Sequence, residues 1–172
     1  PSLVDWKVDD YPALGDQSAY MDVGNFHWYY AGWPPSATGA GYKKLEIIID
    51  RYRPVTGDKP FISSECGYHS ALADSANHWG TPPDVLAKYL PAMFLYHYEY
   101  GLVRSFAYEL MDQFDDPSSH EANFGLLDSK GQPKASFVAL KNVIALLADP
   151  GAPFQPEALD WSLKGDTQDV QV

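Results

Sequence analysis

The chain has 172 residues, of which 45% are hydrophobic and 15% aromatic, and this size and composition suit one globular unit with a sizeable core. Its formal net charge of −11 at pH 7 argues against nucleic acid and anionic membrane surfaces as partners. No apolar stretch approaches the roughly 20 residues that a membrane-spanning helix requires, and the single cysteine excludes an internal disulfide.

The first of three predicted strand-to-helix passages pairs a strand over about residues 20–26 with a helix over about residues 41–53. Four apolar side chains of this helix recur at a spacing that predicts one buried stripe, namely Leu45, Ile48, Ile49 and Tyr52. A turn over residues 55–60 then leads into the second strand.

The second strand is the run Lys59-Pro-Phe-Ile-Ser-Ser-Glu-Cys-Gly-Tyr68. It ends on one carboxylate, Glu65, and turns at Gly67, which is where an α/β barrel presents reactive groups at its mouth. Glu65 is therefore the first candidate for catalysis, and a merely solvated strand-end glutamate is the alternative. Cys66, next to it, is interpreted as a small buried hydrophobe.

The following helix is predicted over residues 81–100, with a kink at Pro91 and with Gly101 as its C-terminal cap. A third strand over residues 103–110 precedes the last helix, at about residues 134–148. In that helix four side chains are predicted to face inward, namely Phe137, Leu140, Ile144 and Leu147.

The composition changes after residue 148. Residues 149–156 are rich in proline and indicate a linker, and residues 159–165 resemble one strand of a further module. The predicted domains are therefore 1–148, a barrel portion, and 149–172, a linker with the first strand of an accessory β domain.

Alternating strands and helices predict an α/β fold with a parallel sheet buried on both faces. A closed barrel needs eight strands and typically about 250 residues, so three strands cannot close one. The chain begins at Pro1 rather than methionine. We therefore expect a processed or truncated chain that forms the C-terminal part of a (β/α)8 barrel.

Four motifs carry a family resemblance, in this order along the chain: Tyr20-Met-Asp-Val-Gly-Asn-Phe-His-Trp-Tyr29, Phe61-Ile-Ser-Ser-Glu-Cys-Gly-Tyr68, Phe106-Ala-Tyr-Glu-Leu-Met-Asp112 and Asn123-Phe-Gly-Leu-Leu-Asp128. In combination they resemble retaining clan A glycoside hydrolases, the cellulase-like (β/α)8 barrels. The resemblance covers about residues 14–147, as strands six to eight of the barrel. It implies a carbohydrate substrate with a β linkage and a tail leading to a β-sandwich.

The resemblance also implies roles for single residues. Glu65 matches the nucleophile that ends strand seven in that family. Five more side chains match positions that support the nucleophile or line the mouth of the site, namely His27, Tyr29, Tyr68, Glu109 and Asp112.

Two further predictions, sugar stacking by tryptophans and a site role for His27, have structural alternatives. Trp28, Trp33 and Trp79 lie in or beside loops at the same end and would suit sugar stacking, but they suit loop packing equally well. His27 is as compatible with a satisfied structural histidine as with a residue of the site.

The chain departs from the family pattern at the acid/base. That residue stands in an Asn-Glu dipeptide at the end of strand four, and the present chain contains no Asn-Glu. Retaining chemistry needs two carboxyls about 5 to 5.5 Å apart. We therefore expect the acid/base on the N-terminal barrel half, in the same or a second polypeptide.

No cofactor or metal is predicted, because the chain has no phosphate-binding glycine loop, no dinucleotide fingerprint and no compact metal-ligand spacing. The resemblance implies a secreted or periplasmic enzyme. The alternative function is a catalytically incomplete carbohydrate-binding or assembly fragment that covers its sheet edges by self-association.

Overall fold

The described part of the chain alternates strands and helices. The computed structural model describes residues 3–4, 13–37, 45–74, 78–148, 151–152, 155, 157–158 and 160–165. Its elements are, in order, β1 (Leu3–Val4), β2 (Gly24–Tyr29), α1 (Leu45–Thr56), β3 (Phe61–Gly67), α2 (Pro83–Glu99), β4 (Leu102–Ala107) and α3 (Ala135–Leu147). No helix among these residues has the length and apolar character that crossing a membrane requires.

The strands form one parallel sheet in which the spatial order, β1-β2-β3-β4, is also the chain order. Each crossover therefore leads to the adjacent strand, as in (β/α) barrels. The prediction of an α/β fold that forms part of a barrel is confirmed. β1 is not among the predicted strands, because two residues are too short to show a period.

The hydrophobic core lies between one face of the sheet and the helices. On β2, Phe26 and Trp28 are buried, whereas His27 and Tyr29 are only partly buried, because successive side chains of a strand point to opposite faces. Phe26 packs on Tyr52 of α1 with ring centroids 5.8 Å apart. Burying a large apolar side chain stabilises the fold by about 1.5–3 kcal/mol, so this face is committed to packing.

Cys66 lies in this core, as predicted. Its thiol is fully buried and donates a hydrogen bond to the backbone oxygen of Phe106 at 3.3 Å. Burial raises the pKa of the Cys66 thiol to about 12, so the group stays protonated and unreactive.

The first strand begins later than predicted. Residues 18–20 form a single 3-10 turn, and the strand runs over Gly24–Tyr29 instead. The Asp16 carboxylate accepts the backbone N–H of Ser18 at 2.8 Å. Such local side-chain bonds favour a turn over an extended strand.

α1 continues past its predicted end to Thr56. The guanidinium of Arg53 donates to the carbonyl oxygens of Gly57 and Lys59, at 3.0 and 2.8 Å, and so satisfies groups beyond the helix end. Gly57 then takes a φ of 56°, which glycine adopts without strain. Residues 41–44, predicted as the first turn, lie outside the described residues.

α2 stays helical through Pro91 and is followed by Gly101, whose φ of 76° fits the predicted C-terminal cap. β4 is shorter than predicted, because it ends at Ala107. It is also an outer strand of the sheet, and it leaves Val103 and Phe106 57% and 50% exposed.

The predicted inward face of α3 is only half correct. Phe137 and Leu140 are partly buried, but Ile144 and Leu147 are 61% and 64% exposed. Among the described elements α3 packs mainly on α2, so the far side of its apolar stripe has no neighbour. The pattern is that of a helix built to be covered on two sides.

The tail was predicted to form a strand over residues 159–165. The described residues 160–165 are not in a strand, and Trp161 is 54% exposed. A strand needs a partner for its backbone groups, and these residues pair with none of the described strands. The division into domains 1–148 and 149–172 stays a prediction.

Candidate functional site

The sheet face opposite the core carries a carboxylate with two ring-bearing partners. Glu65 lies near the C-terminal end of β3, and His27 and Tyr29 lie on the neighbouring strand β2. The Tyr29 hydroxyl donates to Oε2 of Glu65 at 2.9 Å, and Nδ1 of His27 is 3.2 Å from the same oxygen. The structure thus brings together three of the residues singled out in the sequence.

The carboxylate is held but remains accessible. The Glu65 side chain is 39% exposed and the His27 side chain 24% exposed. Burial, followed by the hydrogen bond to Glu65, raises the pKa of Tyr29 well above its ordinary value, so the hydroxyl stays a donor. A carboxylate that is open to solvent, with one oxygen held by a hydroxyl donor, can act as a nucleophile when it is ionised.

An aromatic wall stands behind Tyr29. The ring centroids of Phe124, His78 and Tyr108 lie 5.2, 5.7 and 6.3 Å from that of Tyr29, each nearly edge-on. Sequence reasoning gave none of these three residues a role at the site, because they come from separate loops that only the fold brings together. Phe124 and Tyr108 both lie in resemblance motifs, which is the signal that pointed to them.

Two predicted site residues lie in the core. Trp28 is 6% exposed and packs edge-on against Tyr30. Tyr68 is 2% exposed, stacks on Tyr30 and donates its hydroxyl to the backbone oxygen of Trp33 at 3.0 Å. Both positions are structural in this arrangement, and substrate contact by either residue stays a prediction.

Trp33 and Trp79 form an exposed aromatic pair. Their ring centroids are 5.8 Å apart, and the residues are 42% and 58% exposed. Large exposed aromatic rings near strand ends can stack on the apolar faces of sugar rings. The exposed position of these two tryptophans is compatible with stacking on a sugar ring.

Glu109 follows β4, after a cis peptide bond with Tyr108. Its Oε2 accepts a hydrogen bond from Gln113 at 3.4 Å, and its Oε1 is buried without a hydrogen-bond partner among the described residues. Burial raises the pKa of Glu109 above its ordinary range. Glu109 is therefore a carboxyl that holds a proton more readily than a solvated one.

Asp112 is engaged in the scaffold. Its Oδ1 accepts from the Gly125 backbone N–H at 2.8 Å and from Nζ of Lys134 at 2.7 Å, and its Oδ2 is also 2.7 Å from that nitrogen. These bonds join the loop after β4 to the residue before α3. The substrate-binding role that the resemblance implied for Asp112 stays a prediction.

Three histidine rings lie together, and one of them, His78, belongs to the aromatic wall. The centroid of His69 is 5.2 Å from that of His78 and 5.7 Å from that of His120, which pairs with Asp74. Burial lowers the pKa of His78 to about 4 and also lowers that of His69. Among the described residues no group of three or more metal-ligating side chains is arranged to hold a metal ion.

No protein-family model matches the chain, and no curated protein matches it. Solved structures are similar to it. A family 39 glycoside hydrolase from the gut symbiont Bacteroides cellulosilyticus WH2 aligns with a TM-score of 0.59 and 22% identity, over 82% of this chain and 29% of that one.

Two further structures show the same likeness. A Bifidobacterium dentium β-glucuronidase, complexed with coumarin-3-O-glucuronide, aligns with a TM-score of 0.53 and 19% identity, over 77% of this chain and 22% of that one. A family 17 β-1,3-glucanosyltransferase from Rhizomucor miehei aligns with a TM-score of 0.50 and 19% identity, over 68% of this chain and 42% of that one.

At these identities the likeness shows the fold. The chain has a glycoside hydrolase-like α/β fold and spans between 22% and 42% of the length of these three neighbours. Fold likeness by itself assigns no activity, because one barrel fold serves many chemistries.

Proposed function

We propose that this chain is the nucleophile-bearing part of a retaining glycoside hydrolase of clan A that acts on a β-linked glycan or glycoside. The observation that carries the proposal is the Glu65 carboxylate at the end of β3, with Tyr29 and His27 both on its Oε2. The glycoside hydrolase-like fold supports the same class of reaction.

In the proposed reaction a carboxylate oxygen of Glu65 attacks the anomeric carbon, and the bond from that carbon to the leaving oxygen breaks. The leaving oxygen takes a proton from the acid/base carboxyl. Water then gives one of its own protons to the acid/base carboxylate as its oxygen attacks the same carbon, and the bond from that carbon to Glu65 breaks, which releases the sugar and restores the Glu65 carboxylate. The anomeric configuration is retained because two inversions occur.

The acid/base carboxyl is proposed to come from a polypeptide portion outside these 172 residues. The reason is that the chain holds no Asn-Glu dipeptide. Among the described carboxyls, Glu109 is the one whose pKa burial raises, so it is closest in character to an acid. Glu109→Gln is therefore the control for the proposal that the acid/base lies outside these 172 residues.

We propose that the edge of β4 and the outer side of α3 bind the N-terminal barrel half, in the same or a second chain. β4 is an outer strand of the sheet, and its Phe106 is half exposed. Leu146 of α3 is 82% exposed. A parallel strand followed by a helix would pair with the edge of β4 and cover the outer side of α3.

The experiment uses 2-deoxy-2-fluoroglycosides with a dinitrophenyl leaving group. Such a leaving group departs without a proton donor, so the covalent step is observable even if the acid/base is absent. We expect one of a panel of β-glucosyl, β-glucuronyl, β-galactosyl and β-xylosyl reagents to attach to Glu65, detected by peptide mass spectrometry. The reagent is applied to this chain and to the longest natural polypeptide that contains it.

Glu65→Gln should abolish labelling and leave folding intact, and Glu109→Gln should leave the labelling of Glu65 in place. Attachment of the reagent to another carboxylate in the longer polypeptide, or hydrolysis unchanged by Glu65→Gln, would remove Glu65 from the nucleophile role.

The exposed Trp33 and Trp79 pair favours a second function, glycan binding without hydrolysis. If this chain and the longer polypeptide both bind glycans and neither is labelled covalently, glycan binding is the function.

A further inference from the structure

β3 contains one residue more than its neighbours beside the candidate nucleophile. Phe26 is opposite Ser63, yet the next residue of β2, His27, is opposite Glu65, so Ser64 has no partner of its own on β2. β4 shows the same irregularity between Ser63 and Cys66. Such a bulge re-aims side chains, and here it puts the Ser64 hydroxyl within reach of the same histidine that contacts Glu65.

Asn25 holds Ser64 at two points. The backbone N–H of Ser64 donates to Oδ1 of Asn25 at 3.0 Å, and Nδ2 of Asn25 lies 2.8 Å from Oγ of Ser64. A backbone N–H can only donate, so it fixes which end of the amide is the oxygen. The other end must then donate to Oγ, which leaves the hydroxyl hydrogen of Ser64 free to be given elsewhere.

His27 lies between this hydroxyl and the carboxylate. Its Nε2 is 3.0 Å from Oγ of Ser64, and its Nδ1 is 3.2 Å from Oε2 of Glu65. A neutral imidazole has one donor and one acceptor, and an ionised carboxylate only accepts. With the ring neutral and the carboxylate ionised, Nδ1 carries the hydrogen and Nε2 accepts the hydrogen of Ser64.

We propose that Asn25 and Ser64 are positioning residues that hold neutral His27 in the Nδ1–H tautomer, so that the ring turns an N–H rather than a lone pair toward the Glu65 carboxylate. Hydrogen bonds then run in one direction, from Asn25 to Ser64 and from Ser64 to His27, and the ring N–H faces the carboxylate, with Nδ1 3.2 Å from its oxygen. The partner of one ring nitrogen fixes which tautomer the other presents. In the opposite tautomer an Nδ1 lone pair would face the negative charge of Glu65.

The tautomer is measured on the chain itself, by long-range proton–nitrogen correlation of labelled histidine rings. At about pH 8.5 an ordinary imidazole is neutral, and the His27 signals are identified by their loss in His27→Gln. We expect the Nδ1–H pattern in the unmodified chain. An Nε2–H pattern there would overturn the proposal.

Three variants test the direction of the bonds. Ser64→Ala removes the donor to Nε2 and should move His27 toward the Nε2–H tautomer, whereas Ser64→Thr keeps a hydroxyl and should restore Nδ1–H. Asn25→Asp keeps the acceptor for the Ser64 backbone and replaces the amide donor by an acceptor. It should draw the Ser64 hydrogen away from His27 and so also shift the tautomer.

The ring signals of His97 report whether each variant folds, because His97 is buried between the Tyr30 and Ser105 hydroxyls. With those signals in place, an unchanged His27 tautomer in Ser64→Ala or in Asn25→Asp would contradict the proposal. If one of the two variants does not fold, the other still decides.

The consequence for catalysis rests on the proposed function. In the longer polypeptide, Ser64→Ala and Asn25→Asp should each slow the covalent labelling of Glu65 by about tenfold, because the ring then presents a lone pair instead of an N–H to the carboxylate 3.2 Å away. Ser64→Thr should label at nearly the unmodified rate. If no form is labelled, the proposed function fails while the tautomer measurement still stands. Labelling unaffected by a shifted tautomer would instead overturn the positioning role alone.

Discussion

Gly67 and Tyr108 approach so closely that an ideal Cβ atom on Gly67 would lie 2.5 Å from the backbone oxygen of Tyr108. The backbone N–H of Tyr108 also donates to the oxygen of Cys66 at 2.9 Å. This contact therefore fixes the spacing of the chain directly after Glu65 against the end of β4. Glycine at position 67 is a packing requirement of the site.

Gly67→Ala should lower the free energy of unfolding by about 2–3 kcal/mol, because the added methyl group meets backbone that cannot rotate away. Gly131→Ala is the control. It has no atom within 4 Å of its Cβ position and tests only the strain of a positive φ, 77°, at about 1–2 kcal/mol. Urea denaturation of both variants makes the comparison. An equal or smaller loss in Gly67→Ala would show that the two segments move apart readily.

Tyr29→Phe should slow the covalent labelling of Glu65 about 10- to 100-fold, because the carboxylate loses a hydrogen bond made to a charged group. The ring and its contact with Phe124 are kept, so little stability should be lost. Tyr98→Phe is the matched control, since Tyr98 is 81% exposed on α2. Equal labelling rates in the two variants would separate Tyr29 from the chemistry.

The stability of the chain should fall on mild acidification, in part because of His97. Its ring is 1% exposed, and burial lowers its pKa from 6.5 to about 4. Between these two pH values His97 binds a proton in the unfolded chain but not in the folded chain. The stabilisation is fully present above pH 6.5 and is lost as the pH falls toward 4, at a cost on the order of 3 kcal/mol.

The measurement is the free energy of unfolding at several pH values for the unmodified chain and for His97→Gln. The variant should be less stable at neutral pH, because its bonds to Tyr30 and Ser105 are altered, but its stability should fall less steeply with acid. His78→Gln gives the parallel comparison, because burial lowers the pKa of His78 in the same direction. A slope unchanged by His97→Gln would mean that the ring is protonated in the folded state.

Asp112→Asn should lower the free energy of unfolding by about 3 kcal/mol, because it leaves the Lys134 ammonium without its carboxylate in a mostly buried place. Lys134→Met is the partner variant, and the double variant should lose less than the sum of the two. Thermal or urea unfolding measures all three. A loss of sugar binding without loss of stability in Asp112→Asn would instead support the substrate contact that the resemblance implies.

Leu146→Lys should leave the stability of this chain within about 0.5 kcal/mol, since surface changes rarely exceed that and Leu146 is 82% exposed. Leu140→Lys is the contrast, because Leu140 packs against the core cluster. In the longer polypeptide Leu146→Lys should become destabilising, because the proposed barrel half covers α3 there. Equal tolerance in both forms would contradict that cover.

The sequence predicted the features that depend on short-range pattern. The run that ends in Glu65, the helix stripe of Leu45 and Tyr52, and the cap at Gly101 all follow from the spacing of apolar and turn-forming residues. These patterns are local, so they survive without the rest of a barrel. The order of strands and helices then gave the fold class.

The missing parts depend on contacts that spacing does not encode. Trp28 was expected in or beside a loop, and Tyr68 was expected to support the nucleophile. The strand alternation of β2 buries Trp28, and stacking on Tyr30 buries Tyr68. The bulge at Ser64 is invisible in the sequence because it is a mismatch of register between two strands. Ile144 was expected to be inside because its periodicity is that of a helix covered on both sides.

The buried thiol of Cys66 can report when β3 and β4 separate. It is the single cysteine of the chain, it lies beside Glu65, and its hydrogen bond to Phe106 crosses from β3 to β4. A thiol-modifying reagent therefore reacts at one place, and only when these two strands separate. The rate of modification measures how often the sheet opens beside Glu65, without any added label and without a substrate.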